Sequence, residues 1–288
     1  MNDAESLLLK ELEKRNENCV ITTKSLRDYI SDLESISRGE YIKPISTGLK
    51  SLDSAFNYFL GMLFIVSGYP QAGKGEFLRF LANNWVRFNN GKACFFIPED
   101  DVPLYIWSMK KTYGFSDNYI QDHYAFIEIT DNYGMPTAQD ILDEAIKLNK
   151  KGFNYFVIDP MNWLTDNNSL SIGYEKLRTT LTDFKQFCKQ TKSVLGYVEH
   201  PNTPRPDRDG VYPKCTKYSV TGGLTHFKKV DGFIILHREK QLSEIGTEIM
   251  SVKDRVYVEI AKLKMQKFLG VPDTIEVDFD NGIYRDLI

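Results

Sequence analysis

From Leu52 onward, short apolar runs at 63–67, 93–97, 125–129, 155–159, 194–198 and 232–236 alternate with longer segments in which apolar residues recur at helical spacing, as in 76–88. Continuous apolar runs of about five residues suit strands buried on both faces. Their alternation with helices predicts a mostly parallel sheet covered on two sides. The C-terminal part changes character. Residues 257–264 and 274–279 read as strands, and Asp280-Asn281-Gly282 ahead of Ile283 and Tyr284 is a tight-hairpin signal, so the sheet is expected to end in antiparallel strands. At the other end, residues 1–45 form a separate piece. The stretch 5–12 is helical and charged, and 23–37 suggests a second amphipathic helix before Pro44. This piece is too small for a core of its own, so it is expected to be a helical arm or linker attached to one α/β domain at 46–288.

Composition narrows the picture modestly. At 288 residues with 42% hydrophobic content the chain can bury one large core. Its four cysteines show no paired spacing, so neither a zinc site nor a disulfide framework is expected, which suits a reducing, cytoplasmic setting. No apolar stretch is long enough to span a bilayer, and the start lacks the pattern of a signal peptide. A net charge of -3 argues against a surface that coats nucleic acid throughout. Between 202 and 229, however, six basic residues (Arg205, Arg208, Lys214, Lys217, Lys228, Lys229) face only two acids (Asp207, Asp209). Such a run is either a solvated loop or a local site for a polyanion.

The chemistry concentrates where strands end. Gly68-Tyr69-Pro70-Gln71-Ala72-Gly73-Lys74-Gly75 follows the first apolar run and precedes a helix that opens with Glu76. It matches the phosphate-binding loop G-x-x-x-x-G-K-[S/T] in all but its last position. Glycines let backbone N–H groups close around phosphate oxygens, and Lys74 at a helix N-terminus adds charge where the helix dipole already favours an anion. The missing element is the hydroxyl that binds Mg²⁺. Water can fill that place, so nucleotide binding is expected to survive and hydrolysis to slow. Restoring serine at Gly75 is expected to raise turnover, because the first helical turn does not need glycine; the alternative is that close packing or a left-handed dihedral requires it. Glu99 follows the 93–97 run, where a carboxylate can orient water for attack on a terminal phosphate or simply form an acidic turn. Asp159 ends the 155–159 run as a metal-serving carboxylate would, or as a turn residue. His200 closes the 194–198 run just ahead of the basic segment. It can sense phosphate there or be an ordinary hydrogen-bonded histidine.

Taken in order, Ser46-Thr47-Gly48-Leu49-Lys50-Ser51-Leu52-Asp53, the phosphate loop, Glu99, Ile158-Asp159-Pro160-Met161-Asn162, Glu199-His200-Pro201, Tyr218-Ser219-Val220-Thr221-Gly222-Gly223, Asp231-Gly232, His237-Arg238 and Lys262-x-Lys264 resemble the RecA-fold ATPase domain of Twinkle-like and DnaB-like replicative helicases. The likeness covers about residues 45–288. It implies a RecA-like α/β fold and an ATP- and Mg²⁺-dependent motor that moves on single-stranded DNA as a ring, expected to be hexameric. In it Lys74 binds phosphate, Glu99 polarises water, Asp159 serves the metal and His200 couples hydrolysis to DNA loops. The family's Lys-x-Arg pair, supplied to the neighbouring subunit's phosphate, is matched by Lys262 and Lys264; a lysine lacks the planar fork of arginine. Arg205, Arg208, Lys214 and Lys217 are the expected DNA contacts. No primase-like segment accompanies the domain, so a primase would act in trans. The other readings are a nucleotide-binding DNA clamp or loader subunit with weakened hydrolysis and, disfavoured by the Asp-Pro-x-Asn and His-Pro pieces, a recombinase or signalling ATPase.

Overall fold

The computed structural model describes residues 22–130, 134–164, 173–202, 204, 208, 213–238 and 255–287. The chain divides into two compact units, Met1–Lys43 and Pro44–Ile288. In the first, a 3₁₀ turn at Leu26–Tyr29 leads into α1 (Ile30–Ser37), and neither carries a buried side chain. Leu26, Tyr29, Ile30, Leu33 and Ile36 are all exposed there. The helix expected at 5–12 lies outside the described residues.

In the second unit the apolar runs are strands. Among the described residues one nine-stranded sheet has the order β3-β2-β4-β5-β1-β6-β7-β8-β9. Here β1 is Leu63–Ser67, β2 Ala93–Phe96, β3 Tyr124–Phe126, β4 Tyr155–Ile158, β5 Val194–Val198, β6 Gly232–Arg238, β7 Arg255–Leu263, β8 Thr274–Asp280 and β9 Ile283–Asp286. The first six are mutually parallel, and β7 to β9 are antiparallel. This is the mostly parallel sheet with antiparallel C-terminal strands that the pattern predicts. One strand is shorter than expected. Its run ends at Phe126 because its neighbour among the described residues, β2, leaves the ladder after Phe96 for a turn in which Asp100 N–H donates to the Ile97 carbonyl.

The central strands β1, β2, β4 and β5 are buried along their whole length, which is why they read as unbroken apolar runs. The helices are α2 (Lys50–Ala55), α3 (Lys74–Asn89), α4 (Val102–Tyr113), α5 (Asp117–His123), α6 (Ala138–Asn149), α7 (Tyr174–Thr191), α8 (Gly223–Lys229) and α9 (Gln266–Leu269). On one face, Leu181, Phe184 and Phe187 of α7 and Ile141 and Leu142 of α6 pack with Ile65, Phe156 and Leu195 of the sheet. Local signals set the helix ends. Asp101 accepts from the Leu104 N–H at 2.8 Å to cap α4, and Thr137 with Asp140 forms a capping box on α6.

The C-terminal hairpin is tied back to the domain at two points. The Asp286 carboxylate accepts from the N–H groups of Lys50 (3.1 Å) and Ser51 (2.9 Å) at the start of α2. Tyr284, buried against Phe77, Phe80 and Phe279, donates its hydroxyl to the Gly73 carbonyl at 3.1 Å. A buried carboxylate, Asp231, anchors the opposite end of the sheet. It accepts from Leu63 N–H at 3.0 Å and pairs with Lys264 at 3.1 Å and with Lys185.

Candidate nucleotide site

Strand order brings the singled-out residues together. The strands β1, β5, β4 and β2 lie side by side and parallel, so the phosphate loop, His200, Asp159 and Glu99, which follow their C-terminal ends, share one rim of the sheet. In a parallel sheet that rim is where ligands bind.

The loop has the backbone its glycines allow. Gly68 (φ 155°) runs so close to β6 that a Cβ would lie 2.6 Å from the Leu236 carbonyl oxygen. Gly73 adopts φ 88° as the N-cap of α3, and a Cβ there would lie 2.8 Å from the Tyr284 hydroxyl. Gln71 also has positive φ, 66°. Between them Ala72 is buried while Pro70 and Gln71 are exposed. Lys74 is only 6% exposed and folds back to donate to the Tyr69 carbonyl at 3.1 Å. Burial lowers its pKa, opposed by the charges of Asp159 and Glu99. A cation partly stripped of water at a helix N-terminus suits a phosphate group.

The acids around the loop are held by neighbours that the sequence did not indicate. Glu99 is exposed, and its Oε1 accepts from the indole N–H of Trp163 at 2.9 Å. Asp159 is buried, and burial pushes its carboxyl upward against the pull of Arg79, whose Nη2 lies 3.2 Å from Oδ2. The same guanidinium pairs with Asp100 and stacks 5.3 Å from the ring centre of Tyr105, with Glu76 3.6 Å away. Arg79 stands one helical turn beyond Gly75 on α3. His200 is half-buried; burial lowers its pKa, and the neighbouring Lys74 charge adds to this. Next to it, burial raises the Glu199 carboxyl to about 7.

Gly75 departs from expectation. Its backbone is ordinary helix, so no left-handed dihedral requires glycine, but a Cβ would lie 2.4 Å from Asp159 Oδ2. Serine there is therefore not a simple restoration: it must displace a carboxylate already held by Arg79. A magnesium ion bound directly by the chain does not fit this donor set, because the hydroxyl is absent and the nearest carboxylate is ion-paired. Among the described residues no cluster of three or more His, Cys, Asp or Glu side chains is arranged to hold a metal.

The basic segment starts beside the site. Pro201 bridges Val220, and Asn202 N–H donates to the Ser219 carbonyl at 2.8 Å, pinning the base of the loop. The Tyr69 hydroxyl of the phosphate loop lies near Ser219 at the same base. Arg208 and Lys214 are exposed, and Lys214 pairs at 2.9 Å with Glu259, which also meets His237 at 3.2 Å. Lys217 lies 4.4 Å from the Phe227 ring centre. Arg205 lies outside the described residues. Lys262 and Lys264 are at the other end of the sheet from Lys74, since Leu263 pairs with Gly232 at the start of β6. Lys262 donates to the Phe227 carbonyl, and burial with the adjacent Lys264 charge lowers its pKa to about 8.

This architecture has known counterparts. The chain superposes on a DnaB-like replicative helicase, described together with its interactions with primase, with a TM-score of 0.70 at 15% identity, over 97% of this chain and 71% of that one. It also superposes on a separately solved ATPase domain with a TM-score of 0.72 at 14% identity, over 93% of this chain and 100% of that one. These likenesses show the fold, a RecA-like α/β fold with a mostly parallel sheet and antiparallel C-terminal strands. In sequence the chain is 24% identical over 220 residues to the Twinkle homolog protein, chloroplastic/mitochondrial, of Arabidopsis thaliana. That match covers 68% of this chain, which spans about 30% of the length of that curated relative. No family model matches the chain. Among the described residues no helix is long and apolar enough to cross a membrane.

Proposed function

We propose that this chain is the ATP-dependent motor domain of a ring-forming helicase or translocase acting on single-stranded DNA in replication. The observation that carries the reading is the convergence of a glycine-closed loop, a desolvated Lys74 and the strand-end groups Glu99, Asp159 and His200 on one sheet rim of a DnaB-like ATPase fold. Lys74 and the loop N–H groups hold the phosphates, and Glu99, steadied by Trp163, orients the attacking water. His200 and Tyr69 touch both the phosphate rim and the base of the basic loop, and so link nucleotide state to a DNA path along Arg205, Arg208, Lys214 and Lys217. Lys262 and Lys264, at the far end of the sheet, serve the nucleotide of a neighbouring subunit. The arm's apolar stripe docks on that neighbour in the ring, and a primase joins as a separate chain.

A specific observation favours a second reading, a nucleotide-binding clamp or loader subunit with weak hydrolysis: Gly75 offers no hydroxyl and Asp159 is paired with Arg79. ATP turnover with and without single-stranded DNA separates the two. The motor reading expects turnover that rises with DNA; nucleotide binding with no DNA-stimulated turnover selects the clamp or loader.

A further inference from the structure

The last position of the phosphate loop is filled, though not by its own side chain. A Cβ on Gly75 would lie 2.4 Å from Asp159 Oδ2, so a carboxylate occupies the place where the usual hydroxyl side chain begins, and Arg79 Nη2, 3.4 Å from that Cβ, borders it. These two groups are themselves bonded at 3.2 Å. Arg79 is 9% exposed and is further fixed by Asp100, by Glu76 and by the Tyr105 ring. A guanidinium keeps its charge at any pH a protein tolerates, so it is a permanent cation on Asp159. Mg²⁺ requires near-octahedral oxygen ligands and gives up its water reluctantly, and here it would have to compete for a carboxylate already ion-paired with Arg79.

We propose that Arg79 takes the place of the divalent cation on Asp159, so that this loop binds nucleoside triphosphate with little dependence on Mg²⁺. The inference rests on the nucleotide-site reading above. Where a metal normally shields phosphates from the strand-end carboxylate, Arg79 does so from within the protein. It is a positioning residue, acting through Asp159 and without touching phosphate.

The test is equilibrium binding of a fluorescent ATP analogue to the full chain, in excess Mg²⁺ and in EDTA. Wild-type affinity is expected to agree within about threefold between the two buffers, whereas Arg79→Gln, with Asp159 bared, is expected to lose about tenfold or more in EDTA and to regain it with Mg²⁺. Arg79→Lys keeps the charge and should restore the wild-type pattern. Circular dichroism establishes that the variants fold; should Arg79→Gln not fold, Asp159→Asn is measured in its place. It removes the repelling charge and is expected to bind equally in both buffers. A wild-type loss of about tenfold in EDTA overturns the proposal, as does an Arg79→Gln protein weakened equally in both buffers, which is what a merely structural arginine would give. Absence of binding in either buffer would instead remove the nucleotide-site reading, and this inference with it.

Discussion

At the scale of single residues, the site is governed by which polar groups reach one another after burial. Gly75 is needed for room, since Asp159 occupies the space of its missing side chain. Gly75→Ala is accordingly expected to destabilise the protein by about 1–3 kcal/mol. In an Asp159→Ala background the same change should cost much less, a coupling of at least about 0.5 kcal/mol in a double-mutant cycle of urea unfolding. Additive costs would place the obstruction elsewhere. Glu199 gives a pH signature. Its carboxyl is raised from 4.5 to about 7 in the folded state, so the native protein holds that proton more tightly than the unfolded chain. The stability this contributes is fully present below pH 4.5 and is lost as pH rises through about 7. Relative to Glu199→Gln, wild type should lose on the order of 3 kcal/mol across that window. Parallel stability–pH curves for the two proteins would contradict the burial of an acid there.

At the scale of elements, what could be read from the sequence divides by range. Strands were legible because β1, β2, β4 and β5 are buried on both faces and so appear as unbroken apolar runs of strand length. The last hairpin was legible because its two turn residues, Asn281 (φ 48°) and Gly282 (φ 81°), are types that accept positive φ. Strand ends therefore located Glu99, Asp159 and His200. Arg79 was not legible, because an arginine on an amphipathic helix ordinarily reads as solvated and its partners Asp100 and Asp159 are distant in sequence. Trp163 and Tyr284 escaped for the same reason: the turn and hairpin that carry them meet the site only through the tertiary fold. The Tyr284 contact makes the C-terminal hairpin a brace for the phosphate loop. Tyr284→Phe keeps the aromatic packing but removes the donor to Gly73, and is expected to cost about 1 kcal/mol of stability and to weaken nucleotide affinity measurably. Unchanged affinity would mean that the loop holds its shape without the brace.

At the scale of the whole molecule, the phosphate rim and the base of the basic loop are neighbours, while Lys262 and Lys264 stand at the opposite end of the sheet. In the function proposed above, nucleotide state would pass to a DNA path on the same chain, and the cationic pair would serve another copy. If 202–217 lines that path, replacing Arg205, Arg208, Lys214 and Lys217 by alanine should weaken single-stranded DNA binding and flatten its salt dependence, by about 0.7 in slope for each phosphate no longer neutralised. An unchanged slope would make the segment a solvated loop.

All of these readings depend on nucleotide being held at the loop of Gly68 to Gly75. Calorimetric titration of ATP into wild type and Lys74→Ala, with thermal unfolding of both in the absence of ligand, tests this most directly. Lys74 is buried at the rim and donates to the Tyr69 carbonyl of its own loop, so the variant should still fold, with at most a modest fall in unfolding temperature, and lose ATP binding. A well-folded Lys74→Ala protein that binds ATP as tightly as wild type would contradict the account.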